Sequence, residues 1–277
     1  MLSYQHGFHA GNFADVHKHL VFSLVLDYLV KKPSPITVLD VFAGSGLYRL
    51  DSAQARKTGE AEQGIQPLWL SRPWPACAEP YQQAVAEANA GGGLRCYPGS
   101  PVLARHWLRE GDRHVLCELH PQEIVALRAH LKDGPLAEIH QRDALEALTA
   151  LTPPPVRRGC ALVDPSYEKC DEYRQVAASV RAARLRWPEA TWLVWYPLLP
   201  GSPHAPLLKM LASAGKRGRL RSEVLVREPG AGMHGSGMLV LDPPWQLAAQ
   251  LEDARSWLAR LGQSGSAQVI LDVESTS

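Results

Sequence analysis

The sequence predicts an α/β fold with a mostly parallel sheet and helices on both faces, and three observations carry that reading. Short β-branched apolar runs alternate with stretches whose apolar residues recur at helical spacing, the pattern of strand–helix–strand units. Acidic residues end or closely follow four successive runs, at Asp40, Glu118, Asp143 and Asp164. A glycine-rich turn, Phe42-Ala43-Gly44-Ser45-Gly46, follows the first run. Ligands of such sheets bind outside the carboxyl ends of the strands, so the four acids are expected to converge on one cleft.

Ala14 to Val30 keeps helical spacing and stops at Lys31-Lys32-Pro33, since proline cannot continue a helix. Ile36 to Val41 is the first strand. Residues 48–98 are irregular, with helical patches at 64–70 and 81–90 before the Gly91-Gly92-Gly93 breaker. Gly99-Ser100-Pro101 reads as the cap and first turn of a helix running to Arg109. Strands follow at 114–118 and 137–140, with a helix at 122–131 between them. The apolar run 159–163 is the fourth strand and ends at Asp164. A helix through 177–186 leads to a fifth strand at 191–196. Strands at 222–227 and 238–241 and a helix over 246–261 complete the chain.

Composition limits the function classes. The 277 residues suffice for one large domain, and 45% hydrophobic with 21% charged residues is ordinary for a globular protein. The longest apolar stretch, Leu20 to Val30, is too short to span a bilayer and contains Asp27. Met1-Leu2-Ser3-Tyr4-Gln5-His6 has no signal-peptide pattern, so a cytoplasmic location is expected. Five cysteines without a C-x-x-C pair suggest reduced thiols. The net charge of +1 does not announce a nucleic-acid partner. Basic clusters nevertheless occur at Arg157/Arg158, at Arg181/Arg184/Arg186 and from Lys216 to Arg221, and one basic face is enough to bind RNA.

Two motifs carry chemistry. The glycine turn after the first strand lets a ligand approach the backbone where Cβ atoms are missing. Arg49 stands where a dinucleotide fingerprint needs its third glycine, so a pyrophosphate cradle is excluded. The D-x-x-A-G-x-G form resembles the S-adenosylmethionine loop of class I methyltransferases. Asp164-Pro165-Ser166-Tyr167 suits a planar base with an exocyclic amine. Tyr167 can stack on the base, while Asp164 and the Pro165 carbonyl accept its two N–H hydrogens. Asp242-Pro243-Pro244-Trp245 is the closer match to D-P-P-aromatic. It is expected to follow an antiparallel edge strand, which would put it at the opposite end of the sheet, so Asp164 keeps the catalytic assignment.

The N-terminal residues Tyr4, His6, Phe8-His9-Ala10-Gly11-Asn12-Phe13-Ala14-Asp15-Val16, Lys18 and His19 resemble the signature of the bacterial ribosomal RNA large-subunit methyltransferase J family. The resemblance continues through Tyr97 to Pro101, Glu118 to Pro121, Trp195 to Pro197 and Ser236 to Met238. It implies a single class I (Rossmann-like) S-adenosylmethionine-dependent methyltransferase domain over 1–277 with a seven-stranded sheet. Residues 1–20 would be a tail and helix start contacting cofactor and RNA, and 51–95 an inserted helical subdomain. The implied activity is N6-methylation of an adenine in 23S rRNA, presented as naked or protein-poor RNA, with no membrane and no obligate protein partner. His19, Ser100, Glu118, Asp143 and Ala144 would bind S-adenosylmethionine beside Asp40, Phe42, Gly44 and Gly46. Asp164, also against the cofactor, would be the catalytic carboxylate with Pro165 and Tyr167. Tyr4, His6 and Lys18 would meet the RNA. Phe42 stands where the family pattern has His, and Ser166 where it has Pro.

The histidines at 6, 9, 17 and 19 fit no closed zinc site, so no metal is expected. The rival readings are a DNA adenine N6-methyltransferase using the same pocket and a non-catalytic nucleic-acid-binding protein of DNA uptake.

Overall fold

The computed structural model describes residues 5–71, 73–132, 137–262 and 266–274. Its strands are β1 (Thr37–Asp40), β2 (Leu47–Arg49), β3 (Cys96–Pro98), β4 (Arg113–Glu118), β5 (Ala137–Gln141), β6 (Gly159–Val163), β7 (Thr191–Leu198), β8 (Arg219–Leu225), β9 (Gly235–Leu241) and β10 (Gln268–Glu274). The α-helices are α1 (Phe13–Val30), α2 (Ala53–Thr58), α3 (Ile65–Leu70), α4 (Glu79–Glu87), α5 (Ser100–Ala104), α6 (Pro121–His130), α7 (Ala144–Ala150), α8 (Glu172–Arg186), α9 (Ala205–Leu211), α10 (Leu247–Asp253) and α11 (Arg255–Leu258).

The main sheet has eight strands in the order β10-β8-β9-β7-β6-β1-β4-β5. β5, β4, β1, β6 and β7 run parallel. β9 lies antiparallel between β7 and β8, so it is an interior strand and not the edge strand expected from sequence. The edge is β10, paired antiparallel to β8, and it makes the sheet one strand larger than the expected seven. A second, two-stranded sheet pairs β2 with β3, and α2, α3 and α4 lie between them along the chain. The helix expected to reach Arg109 ends at Ala104, and the last helical stretch breaks into α10, α11 and a 3-10 turn.

Side-chain alternation splits the core into two layers, because successive strand residues point to opposite faces. Val38, Cys160, Leu162, Leu193, Met238 and Val240 join one layer, with α1. Leu39, Ala161, Val163, Trp192, Val194 and Leu239 join the other, under α7, α8 and α9. Asn12 caps α1 by accepting from the Asp15 N–H at 2.9 Å. The helix then buries Leu20, Val21, Phe22, Val25 and Leu26 with no exposed surface. Each such side chain contributes about 1.5–3 kcal/mol relative to exposure. α1 is therefore a central pillar, and whatever its polar residues hold is held rigidly.

Several arginines of the basic clusters are engaged within the fold. Arg184 is buried against Asp242. Arg219 pairs with Glu274, and Arg221 with Asp272 at 3.3 Å, across the β8–β10 edge. Arg157 pairs with Glu189 at 3.1 Å, and Arg158 donates to the Ser34 carbonyl at 2.8 Å. These arginines serve the fold.

Candidate active site

One cavity of about 470 Å³ opens at the carboxyl ends of the parallel strands, a volume suited to a small organic ligand. Gly44 and Phe42, after β1, form part of its wall. Glu118 ends β4, Asp143 and Ala144 begin α7, and Asp164 to Tyr167 follow β6. Ser100, at the start of α5, and His6, Lys18 and His19 complete the sequence-predicted set found in the lining. Tyr4 lies outside the described residues.

Asp40 and Gly46 do not line the cavity. The Asp40 carboxylate is buried behind the wall. It accepts from Ser100 Oγ at 2.6 Å and from the Phe42 N–H at 3.1 Å, one bond to each oxygen. Burial raises its pKa to about 6, against the lowering by those two bonds. Asp40 thus shapes the turn from behind. Gly46 adopts φ +82°, where a Cβ would sit 3.0 Å from Leu127, and its carbonyl accepts the Gly99 N–H at 2.8 Å. It joins the turn to the start of α5 and leaves the ligand face to Gly44.

The acids of the wall are held by backbone donors. Glu118 accepts from the Gly44 N–H at 2.8 Å and the His120 N–H at 2.7 Å. Burial raises its pKa, partly offset by those bonds. Asp143 caps α7 through the Leu145 and Glu146 N–H groups at 2.9 and 3.1 Å.

Lys18 is the electrostatic centre of the site. Its ammonium bonds Asp15 at 2.8 Å and also Asp164. Burial alone would lower its pKa, but the two carboxylates more than offset this and hold the lysine charged. Burial likewise works against Asp15 ionising, yet His6 and Lys18 hold that carboxyl well below its usual range. Asp15 was not singled out from sequence; the i,i+3 Asp–Lys spacing at a helix start was the available signal.

Tyr167 adopts φ +49°, an unusual conformation for a large residue. Its ring stacks on Tyr173 with centroids 4.1 Å apart, and its hydroxyl donates to the Trp195 carbonyl at 2.9 Å. Those two contacts fix the ring at the cavity wall.

Residues 5–12 are strapped to the excursion between β2 and β3. Glu60 bonds His9 at 2.8 Å and Asn12 at 2.9 Å, and the Ile65 N–H donates to the Gly11 carbonyl at 2.9 Å. Among the described residues no group of three or more His, Cys, Asp or Glu could hold a metal, and no helix is long and apolar enough to cross a membrane.

The residues present suit a sulfonium nucleoside cofactor. His19 Nε2 is buried without a partner beside the cavity, and a buried nitrogen is costly to leave unpaired. Its other nitrogen is bonded to the Tyr97 hydroxyl at 2.8 Å, so Nε2 is left for a polar group of a ligand in the cavity. Glu118 supplies carboxylate oxygens for vicinal hydroxyls on the same wall.

A parallel sheet with the antiparallel β9 slotted beside its end, and a cavity over the tips of β1, β4, β5 and β6, is the architecture of the class I methyltransferases, extended here by the antiparallel β10. A crystal structure of protein LPL1258 from Legionella pneumophila superposes with a TM-score of 0.90 at 31% identity, covering 97% of this chain and 99% of that one. A family model described as "Ribosomal RNA large subunit methyltransferase D, RlmJ" matches residues 33–271. The chain is 40% identical to Ribosomal RNA large subunit methyltransferase J of Escherichia coli K12 over 260 residues, 93% of each protein. It is 38% identical to the protein of that name from Haemophilus influenzae over 94% of each. The chain belongs to the ribosomal RNA large subunit methyltransferase J family.

Proposed function

We propose that this protein methylates the N6 amino group of one adenine in 23S rRNA, with S-adenosylmethionine as methyl donor. The observation that carries the reading is Asp164-Pro165-Ser166-Tyr167 in the wall of the same cavity that Gly44 and Glu118 line. The coupled roles are His19, Phe42, Gly44, Ser100, Glu118, Asp143 and Ala144 toward the cofactor, Asp40 and Gly46 toward the turn that shapes its pocket, and Tyr4, His6 and Lys18 toward the RNA.

The bound cofactor supplies a methyl group on a sulfonium, already activated for displacement. The remaining work falls to this chain. Adenine N6 is a poor nucleophile because its lone pair is delocalised into the ring. Asp164 and the Pro165 carbonyl accept its two N–H hydrogens and favour the pyramidal geometry of attack, and Tyr167 supplies an aromatic surface for the base. Attack by N6 on the sulfonium methyl would break its bond to sulfur and release the neutral thioether, and the N6 cation so formed would pass one proton to Asp164. Asp15 and Asp164 flank the Lys18 ammonium, with His6 on the other oxygen of Asp15. The Asp164 carboxylate stabilises the cation developing at N6, and Asp15 still balances Lys18 when Asp164 takes the proton. The base must leave its stack to reach the cavity, which favours a loop or distorted helix in RNA poor in bound protein.

The test is methyl transfer to protein-free 23S rRNA from cells lacking the gene, followed by mass mapping. One N6-methyladenine should appear with wild type and be lost with Asp164→Ala. Labelling of duplex DNA in place of rRNA would replace this reading with the DNA one. Full activity of Asp164→Ala would remove the assignment of Asp164.

A further inference from the structure

Three consecutive residues of α1 enter three separate polar systems. His19 reaches the Tyr97 hydroxyl, which bonds the Tyr81 hydroxyl at 2.8 Å. Lys18 reaches Asp164. His17 reaches the far side of the same cavity wall by a longer route. We propose that His17 is a positioning residue, acting through Ser236 and Trp195 on Tyr167; the proposal rests on the methyl-transfer reading of Asp164 to Tyr167.

The route is continuous. His17 is fully buried between α1 and the sheet. Its Nε2 is 2.9 Å from Ser222 Oγ on β8, and its Nδ1 is 3.0 Å from Ser236 Oγ on β9. Ser236 Oγ also accepts from Trp195 Nε1 at 3.0 Å. Trp195 lines the cavity, and its carbonyl accepts the Tyr167 hydroxyl at 2.9 Å. Burial pushes the His17 imidazole down to about 3, so it stays neutral. Ser236 Oγ, which accepts from Trp195, keeps a hydroxyl hydrogen that can be donated to His17 Nδ1, an arrangement that puts the histidine proton on Nε2, facing Ser222.

Two physical arguments separate this from ordinary packing. An apolar residue at position 17 would bind helix to sheet without desolvating an imidazole and two hydroxyls. The left-handed backbone of Tyr167 costs about 1–3 kcal/mol and persists only where its surroundings over-determine it. The Trp195 carbonyl, fixed in the β7–β9 ladder, is one of those determinants, and the Trp195 indole, anchored by Ser236 and 6.2 Å from the Tyr167 ring between centroids, is another. α1 therefore fixes both ends of the four-residue segment: Asp164 directly through Lys18, and Tyr167 indirectly through His17.

The experiment compares Ser236→Ala, His17→Leu and His17→Gln with Asp164→Ala in single-turnover methylation of 23S rRNA, alongside cofactor binding. Ser236→Ala and His17→Leu should each slow the transfer about tenfold while the cofactor Kd changes less than about twofold. His17→Gln, whose amide can donate and accept, should recover most of the rate. Trp195→Phe combined with Ser236→Ala should be no slower than Trp195→Phe alone, because both cut the same route. An unchanged single-turnover rate in folded Ser236→Ala, even with a lowered melting temperature, would overturn the proposal, as would rate losses that multiply in the double variant. Activity retained by Asp164→Ala would instead strike the underlying reading of the site.

Discussion

Two Asp-Pro segments end two strands of one sheet, and they have opposite fates. Asp164 follows the parallel strand β6, lines the cavity and pairs with Lys18. Asp242 follows β9, which runs the other way, and is 1% exposed. Its carboxylate is bonded by Arg184 and by the Arg217 N–H at 2.6 Å, its carbonyl accepts the Thr191 hydroxyl at 2.9 Å, and its backbone adopts φ +56°. Trp245, the aromatic of that motif, is 82% exposed at the opposite end of the sheet from the cavity. The same letters line the cavity at one end and make a structural clasp at the other, and strand direction decides which.

The contrast breaks most sharply under paired substitutions. Asp164→Ala should lower methylation about 10²–10⁴-fold, as expected for a lost proton acceptor, with the cofactor Kd nearly unchanged. Asp242→Ala should do the reverse. It strands the buried Arg184 and should cost about 3–5 kcal/mol of stability in urea unfolding, while the folded fraction keeps its specific activity. Loss of specific activity in Asp242→Ala at full folding would erase the distinction. Next in size, Lys18→Met should slow transfer about 10²-fold, since Asp15 and Asp164 then repel across an uncharged side chain; single-turnover rates measure it.

A smaller effect comes from the buried histidines. His17 and His114 both sit near pKa 3 because burial disfavours their charged forms. Below the ordinary histidine pKa of about 6.5 the unfolded chain binds protons that the folded chain refuses, so stability is present above that pH and falls as pH drops toward 3. Each contributes a slope of about 1.4 kcal/mol per pH unit at most. Unfolding of His17→Gln between pH 6.5 and 4 should show a shallower acid slope than wild type. Smallest of all, Ser166→Pro should change activity less than about twofold, because Ser166 is exposed at the cavity wall, whereas Asp164, Pro165 and Tyr167 supply the contacts.

The parallel half of the sheet was legible because its strands are short, β-branched and closed by acids, so their ends and directions could both be read. Glu118, Asp143 and Asp164 met as their strand ends required. Asp40 did not join them, because the Ser100 hydroxyl and the Phe42 N–H capture its two oxygens, and no periodicity reveals that the start of α5 and the turn after β1 meet there. The β2–β3 pairing joins three-residue strands nearly fifty positions apart, too short for a pattern and too distant for a hairpin signal. β10 did carry alternation at Val269, Leu271 and Val273, but its polar neighbours made it resemble a tail. Charge counted along the chain does not reveal which basic residues are paired, since β10 brings Asp272 and Glu274 beside Arg221 and Arg219.

The β2–β3 stem has a consequence for how such a protein can change over time. Leu47 pairs with Pro98 and Arg49 with Cys96, so the chain leaves the core and re-enters it at nearly the same point. Doubling a loop costs only about 0.6 kcal/mol in closure entropy. Lineages are therefore at liberty to lengthen, shorten or exchange the excursion without disturbing the register of the main sheet. The tether is Glu60 and Ile65, whose bonds to His9, Asn12 and Gly11 keep the N-terminal strap over the cavity. Trp74 and Tyr81 also tie the excursion to the core, against Trp257 and through Tyr97 to His19, so the open turn at Gly91-Gly92-Gly93 is the place where selection can add or remove residues at least cost.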